Sequence, residues 1–117
     1  MSMFHRRLLE SATLSADSAF DLESALDLGH LRELHIVLTV NQAAEAAEGT
    51  TAKLVLRHAA VNGVDQYVDF DTPAEIDLSR EATVWFHVDA FLRYVGWFVS
   101  GTLTGSAVVT IDVIGKG

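Results

Sequence analysis

Residues 91–113, FLRYVGWFVSGTLTGSAVVTIDV, form two apolar β runs joined by a Gly-rich turn. In the first run both parities are hydrophobic: Leu92, Tyr94 and Phe98 share one face, and Val95, Trp97 and Val99 share the other. Such a strand has to be covered twice in water. One face supplies the core of a small β-sandwich, and the other needs a loop, a second sheet or another protein. The residues alone therefore lead to an all-β domain belonging to an assembly, with Tyr94 and Phe98 turned inward and Val95, Trp97 and Val99 outward. In the second run Val109, Ile111 and Val113 make a core face, while Val108, Thr110 and Asp112 look out.

Working outward from this hairpin, strand-length alternation recurs between turn signals. Residues 83–88 place Val84, Phe86 and Val88 on one face and Trp85 and His87 on the other. Residues 31–41, LRELHIVLTVN, carry Leu34, Ile36, Leu38 and Val40 on the inner parity, the cleanest amphipathic pattern in the chain. Residues 52–59 put Leu54 and Leu56 in and Lys53 and Arg57 out. Asn62-Gly63 marks a turn before a returning strand at 67–71, and Pro73 breaks the chain before a short edge at 74–78 with Ile76 and Leu78 inward. Strands are also expected at 8–15 and 20–28. The segment 42–51, QAAEAAEGTT, has helix-forming composition but only about two turns before Gly49, too few to stand alone, and reads as a surface excursion.

The fold class that follows is an all-β antiparallel β-sandwich, jelly-roll-like, with seven to nine strands. Residues 1–117 read as one domain, and residues 1–9 as an extended N-terminal arm or a frayed end. Alternation fixes which residues share a face but not strand order, so an immunoglobulin-like sandwich and a closed barrel stay open. The strand number and the lack of a Cys-Trp-Cys pattern favour the jelly roll.

Composition narrows the function. A chain of 117 residues, 50% apolar and 21% charged, is too hydrophobic for a disordered tail and too interrupted for a membrane span. Sixteen acidic residues against eight basic give a charge of −8, which repels phosphate backbones and argues against nucleic acid. The N-terminal residues lack the apolar core of an export signal, and the absence of Cys fits a reducing compartment.

Chemistry is hard to place. His5, His30, His35, His58 and His87 show no His-x-His or i, i+4 spacing, so no shared metal is expected. The acidic group Asp65, Asp69, Asp71, Glu75 and Asp77 has no calcium-loop pattern, and carboxylates on an outward strand face are usually just solvated. Nothing resembles a nucleophile elbow, a P-loop or a dinucleotide fingerprint. The expectation is a non-enzyme with no catalytic residue, no cofactor and no metal. Trp85 and Trp97, if on neighbouring strands, would form an outward patch with Val95 and Val99. Apolar neighbours make that patch more like a protein interface than a sugar platform. A carbohydrate-binding module using exposed Trp side chains is the alternative.

Two segments carry a resemblance. The opening LLESATLSADSAFDLESALDLGHLRELHIVLTV and the closing FLRYVGWFVSGTLTGSAVVTIDVIGKG resemble the start and end of small β-sandwich virion structural proteins of tailed bacteriophages. The closing pattern is an aromatic-Leu-Arg-Tyr strand, a Ser-Gly turn, an apolar strand and a Gly-Lys tail. The resemblance implies a capsid decoration or stabilising protein, or a minor component of a phage-like particle. It would be assembled in the host cytoplasm, located on the virion and act through multivalent contacts with capsid or other virion proteins as a homo-oligomer. The interface candidates are Phe4, Arg6 and Arg7 on the arm, with Trp85, Arg93, Val95 and Trp97 on the outward strands.

Overall fold

A computed structural model describes residues 3–16, 18–29, 31–47 and 50–117, with Met3 described by its backbone alone. The expectations attached to His30, to Gly49 and to the first two residues of the arm lie outside the described residues. Two antiparallel sheets enclose one hydrophobic core. The first sheet contains β1 (Met3–Leu14), β3 (Glu33–Gln42), β8 (Ala82–Val88) and β11 (Ala107–Lys116), in the order β1-β11-β3-β8. The second contains β2 (Leu26–Asp27), β9 (Tyr94–Ser100), β5 (Lys53–Ala59) and β6 (Val68–Asp69), with β7 (Glu75–Asp77) also paired to β5. A two-residue ribbon of β4 (Glu45–Ala46) and β10 (Leu103–Thr104) sits apart from both. Among the described residues seven strands have three residues or more and four are two-residue bridges.

The faces of the first sheet follow the sequence pattern. Leu34, Ile36, Leu38 and Val40 of β3 and Val109, Ile111 and Val113 of β11 are buried. Full burial of each such side chain is worth about 1.5–3 kcal/mol relative to exposure, so slipping either strand by one residue would turn the whole set to solvent. On β5, Leu54 and Leu56 are fully buried, and on β7 and just beyond it Ile76 and Leu78 close the core. Gly101 and Gly105 bracket β10 with φ of 94° and 97°. That left-handed region suits glycine, and at Gly101 an added Cβ would also collide with the Thr51 carbonyl.

One face assignment has to be reversed. Val95 and Trp97 are 0% and 6% exposed and belong to the core, whereas both had been expected outside. Register explains it. Opposite residues in an antiparallel pair share a face, and β5–β9 pairing sets Leu54 opposite Val99, Leu56 opposite Trp97 and His58 opposite Val95. Because Leu54 and Leu56 point inward, their partners do too. The outward face of β9 is Tyr94, Gly96 and Phe98, and the chain covers it itself. Phe20 lies 5.2 Å from both Phe98 and Tyr67, on the space a side chain at Gly96 would occupy. The second sheet therefore hides its outer aromatic face under its own loop.

Two further expectations change. Residues 3–9 are not an unpaired arm, since their backbone pairs with β11 from Met3 opposite Lys116 onward. Residues 20–28 do not make one strand. They form a 3-10 turn at Leu22–Ser24, begun by Asp21 whose side chain accepts the Glu23 N–H, and then the short β2. In the excursion 42–51, β4 gives a brief pairing with β10.

His58 is the buried polar member of the core. Its ring lies 4.2 Å from Phe70, and its Nδ1 accepts the Leu92 N–H at 3.0 Å. Burial pushes its pKa below the ordinary imidazole value, with Asp71 and the Asp69 backbone acting the other way. The unfolded chain then takes up a proton near pH ~6.5 and the native one only at lower pH. Stability should therefore rise with pH in this range and be lost as pH falls below that value. In His58→Gln, whose amide oxygen can accept the Leu92 N–H without titrating, urea midpoints measured from pH 7.5 downward should show a shallower fall than the wild type. An equal slope would rule out His58 as a source.

Candidate functional site

Among the described residues, the outer face of the first sheet carries the exposed Trp85, while exposed valines at positions 61, 64 and 68 lie in and around β6 of the second sheet. Direct cross-strand partners arrange the first sheet's outer face in rows. One row runs Arg7, Asp112, Val37, Trp85 across β1, β11, β3 and β8, and the next runs His5, Ile114, His35, His87. A third carries Thr110, Thr39 and Thr83. Strands spaced about 4.8 Å apart make each four-residue row about 14 Å wide. Val37 and Ile114 are half-buried in it, and Trp85, 65% exposed, is the large apolar group standing clear.

Polar contacts fix the surface around the indole. Trp85 Nε1–H donates to His35 Nδ1 at 3.1 Å, and the two rings stack at 5.6 Å and 10°. His35 in turn stacks on His87 at 4.6 Å. The Nε2 atoms of His35 and His87 converge on Glu33 Oε1 at 3.0 and 3.1 Å, with Lys116 Nζ 4.0 Å from Glu33 Oε2 and Asp89 Oδ1 3.2 Å from His87 Nε2. The hydrogen bond from His35 is the main cause holding the Glu33 carboxyl below the usual carboxylate range. At the β1 side Asp112 Oδ1 lies 3.1 Å from Arg7 Nε and 2.9 Å from His5 Nε2. Its hydrogen bond is the leading cause that raises the Arg7 guanidinium. Thr110 Oγ1 joins Asn41 Oδ1 at 2.9 Å. A shelf this well tied presents Trp85 at little conformational cost to a ligand.

The seven residues singled out from the sequence do not gather in one place. Arg7 and Trp85 share a row of this face. Phe4 and Arg6 lie on the opposite parity of β1, with the Arg6 guanidinium 5.8 Å from the Phe4 ring. Arg93 makes a two-pronged pair with Asp27 at 3.1 and 3.0 Å, beside Tyr94 near the second sheet. Val95 and Trp97 are in the core, beyond the reach of a partner. His35, His87 and Glu33 were missed. His35 and His87 are far apart in sequence, and only the β3–β8 register makes them neighbours.

The acidic group at 65–77 does not converge either. Asp69 pairs with Arg57 at 2.8 Å, Glu75 with Lys53 at 2.9 Å, and Asp77 takes the Ser79 N–H and hydroxyl, which lower its pKa. Among the described residues, Glu33, His35 and His87 are the group whose ligating atoms all lie within 4.8 Å of one another. No helix of the described residues is long and apolar enough to cross a membrane. Compared with known proteins, the chain matches no family model, no curated protein and no solved structure.

Proposed function

We propose that the chain is a non-enzymatic structural subunit of a phage or phage-like particle, a capsid decoration or stabilising protein that docks through the outer face of β1-β11-β3-β8. The observation that carries this reading is the contrast between the two sheets. The second sheet's outer aromatics lie under Phe20 and Tyr67 and only small apolar groups, Val61, Val64 and Val68, are exposed beside them, while the first sheet keeps the large Trp85 ring in the open on a braced shelf with half-buried Val37 and Ile114. An uncovered indole on a rigid face is what a docking hot spot needs. Topology adds support. The chain passes from one sheet to the other in the sequence β1, β2, β3, β5, and the orders β1-β11-β3-β8 and β2-β9-β5, with β6 and β7 both on the far side of β5, support reading the sandwich as jelly-roll-like, an architecture used in viral capsids. The phage-like opening and closing segments point the same way. In a symmetric shell many copies act together, so one small face suffices.

The experiment is co-sedimentation of the purified chain with shells assembled from the coat protein of the same genome, alongside light scattering of the chain alone. The expected result is stoichiometric recovery with the shells. A chain that is monomeric at every concentration and stays in the supernatant would refute the reading. Carbohydrate binding is the second reading, favoured by the imidazole and hydroxyl groups beside the exposed Trp85. It has lost its second ring, since Trp97 is in the core. Retention in a polysaccharide gel that disappears in Trp85→Ala would favour it over the first.

A further inference from the structure

We propose that Glu33, His35 and His87, with Asp89 at the rim, bind a divalent transition metal of the zinc class across the β3–β8 edge. The inference stands apart from the particle reading and rests on the convergence of three ligating groups, with a fourth carboxylate beside one of them. Zinc takes imidazole nitrogen and carboxylate oxygen at about 2.0–2.2 Å, which in a tetrahedron sets neighbouring ligand atoms about 3.4 Å apart. Here both imidazole Nε2 atoms lie 3.0 and 3.1 Å from Glu33 Oε1, and His87 Nε2 lies 3.2 Å from Asp89 Oδ1. Shifts of a few tenths of an ångström, well within side-chain freedom at half-exposed positions, would bring Glu33 and the two imidazoles to ligand spacing, and the exposed Asp89 would have to swing further to join them. Two carboxylates against the one nearby ammonium of Lys116 leave a site with net negative charge for the incoming dication.

The site carries its own reporter. The indole N–H of Trp85 donates to His35 Nδ1, so that nitrogen holds a lone pair and the ring proton sits on Nε2, where it is given to Glu33. A metal on Nε2 needs the other tautomer. The proton leaves Nε2, a proton is taken up on Nδ1, and the Trp85 N–H is then left facing another N–H. Metal uptake must therefore release the indole, while tying β8, the edge strand, to β3. The hydrogen bond from Trp85 works against the metal, which makes Trp85 a competitor and a reporter rather than a ligand.

The test titrates zinc ion alone into the metal-free full-length chain, read by calorimetry and by tryptophan fluorescence. The expected result is saturable uptake of one equivalent with a fluorescence change. His87→Ala and Glu33→Gln should each weaken binding by about tenfold or more. His5→Ala, which alters the separate His5–Asp112 pair, should leave it unchanged. Trp85→Phe should bind zinc at least as tightly and lose the fluorescence response. The altered side chains lie on the sheet surface, and circular dichroism of each variant confirms that it is folded. No uptake by the wild type, uptake indifferent to His87→Ala, or weakening in Trp85→Phe as large as in His87→Ala would each overturn the proposal.

Discussion

Replacing Trp97 by Ala should destabilise the protein by about 3–5 kcal/mol, the range for deleting a buried large aromatic side chain. Trp97 is 6% exposed, sits opposite Leu56 in the β5–β9 ladder, and meets the Phe20 ring edge-on at 6.3 Å. Removing it opens a cavity where the second sheet packs on the first, and it also takes a wall from beneath Phe20. Since the stability of a domain this size is typically about 5–15 kcal/mol, the loss would be a large part of the total. Urea denaturation at constant m-value reads it directly. A change under about 0.5 kcal/mol, the range of ordinary surface substitutions, would mean that the indole is not in the core and that the face assignment of β9 is wrong.

The second large effect is on binding rather than folding. Trp85→Ala removes an exposed ring and one hydrogen bond to a half-exposed imidazole, so its cost to stability should stay within about 0.5–1.5 kcal/mol. Recovery with coat-protein shells should fall much further. A Trp at the centre of an interface is worth about 2 kcal/mol or more on truncation, a weakening of about 30-fold or greater per contact. Avidity then multiplies the loss over the copies on a shell. Equal recovery of the variant and the wild type in co-sedimentation would show that docking uses another surface. The two tryptophans thus separate fold from function: one variant should unfold early and the other should fold and fail to dock.

What could be read in the sequence followed the physics of alternation. β3, β8 and β11 each pair one apolar parity with one polar parity, and the structure has Leu34, Ile36, Val109 and Ile111 inside and Trp85 and His87 outside. β9 defeats the same reasoning because both of its parities are apolar. Only its pairing with β5 decides that Trp97 looks inward and Phe98 outward. Phe20 could not be recognised as a lid, because nothing local distinguishes an aromatic residue on a strand from one in a loop that folds back over Gly96. The true start of β1, at Met3 rather than residue 8, is not legible, since His5, Arg6 and Arg7 interrupt alternation at a sheet edge. There β1 has only one strand to pair with, and its polar side chains can reach solvent. The histidine pair illustrates the general limit. Spacing arguments find ligands within one element, whereas His35 and His87 meet through register between two strands.

The central claim, that Trp85 on the outer face of β1-β11-β3-β8 is the docking centre, is tested most directly by acrylamide quenching of tryptophan fluorescence, free and shell-bound. In the free chain Trp85 should be the quenchable indole and Trp97 the protected one. On the shells the quenchable component should largely disappear. A Trp85 signal that stays fully quenchable at stoichiometric binding would contradict the claim.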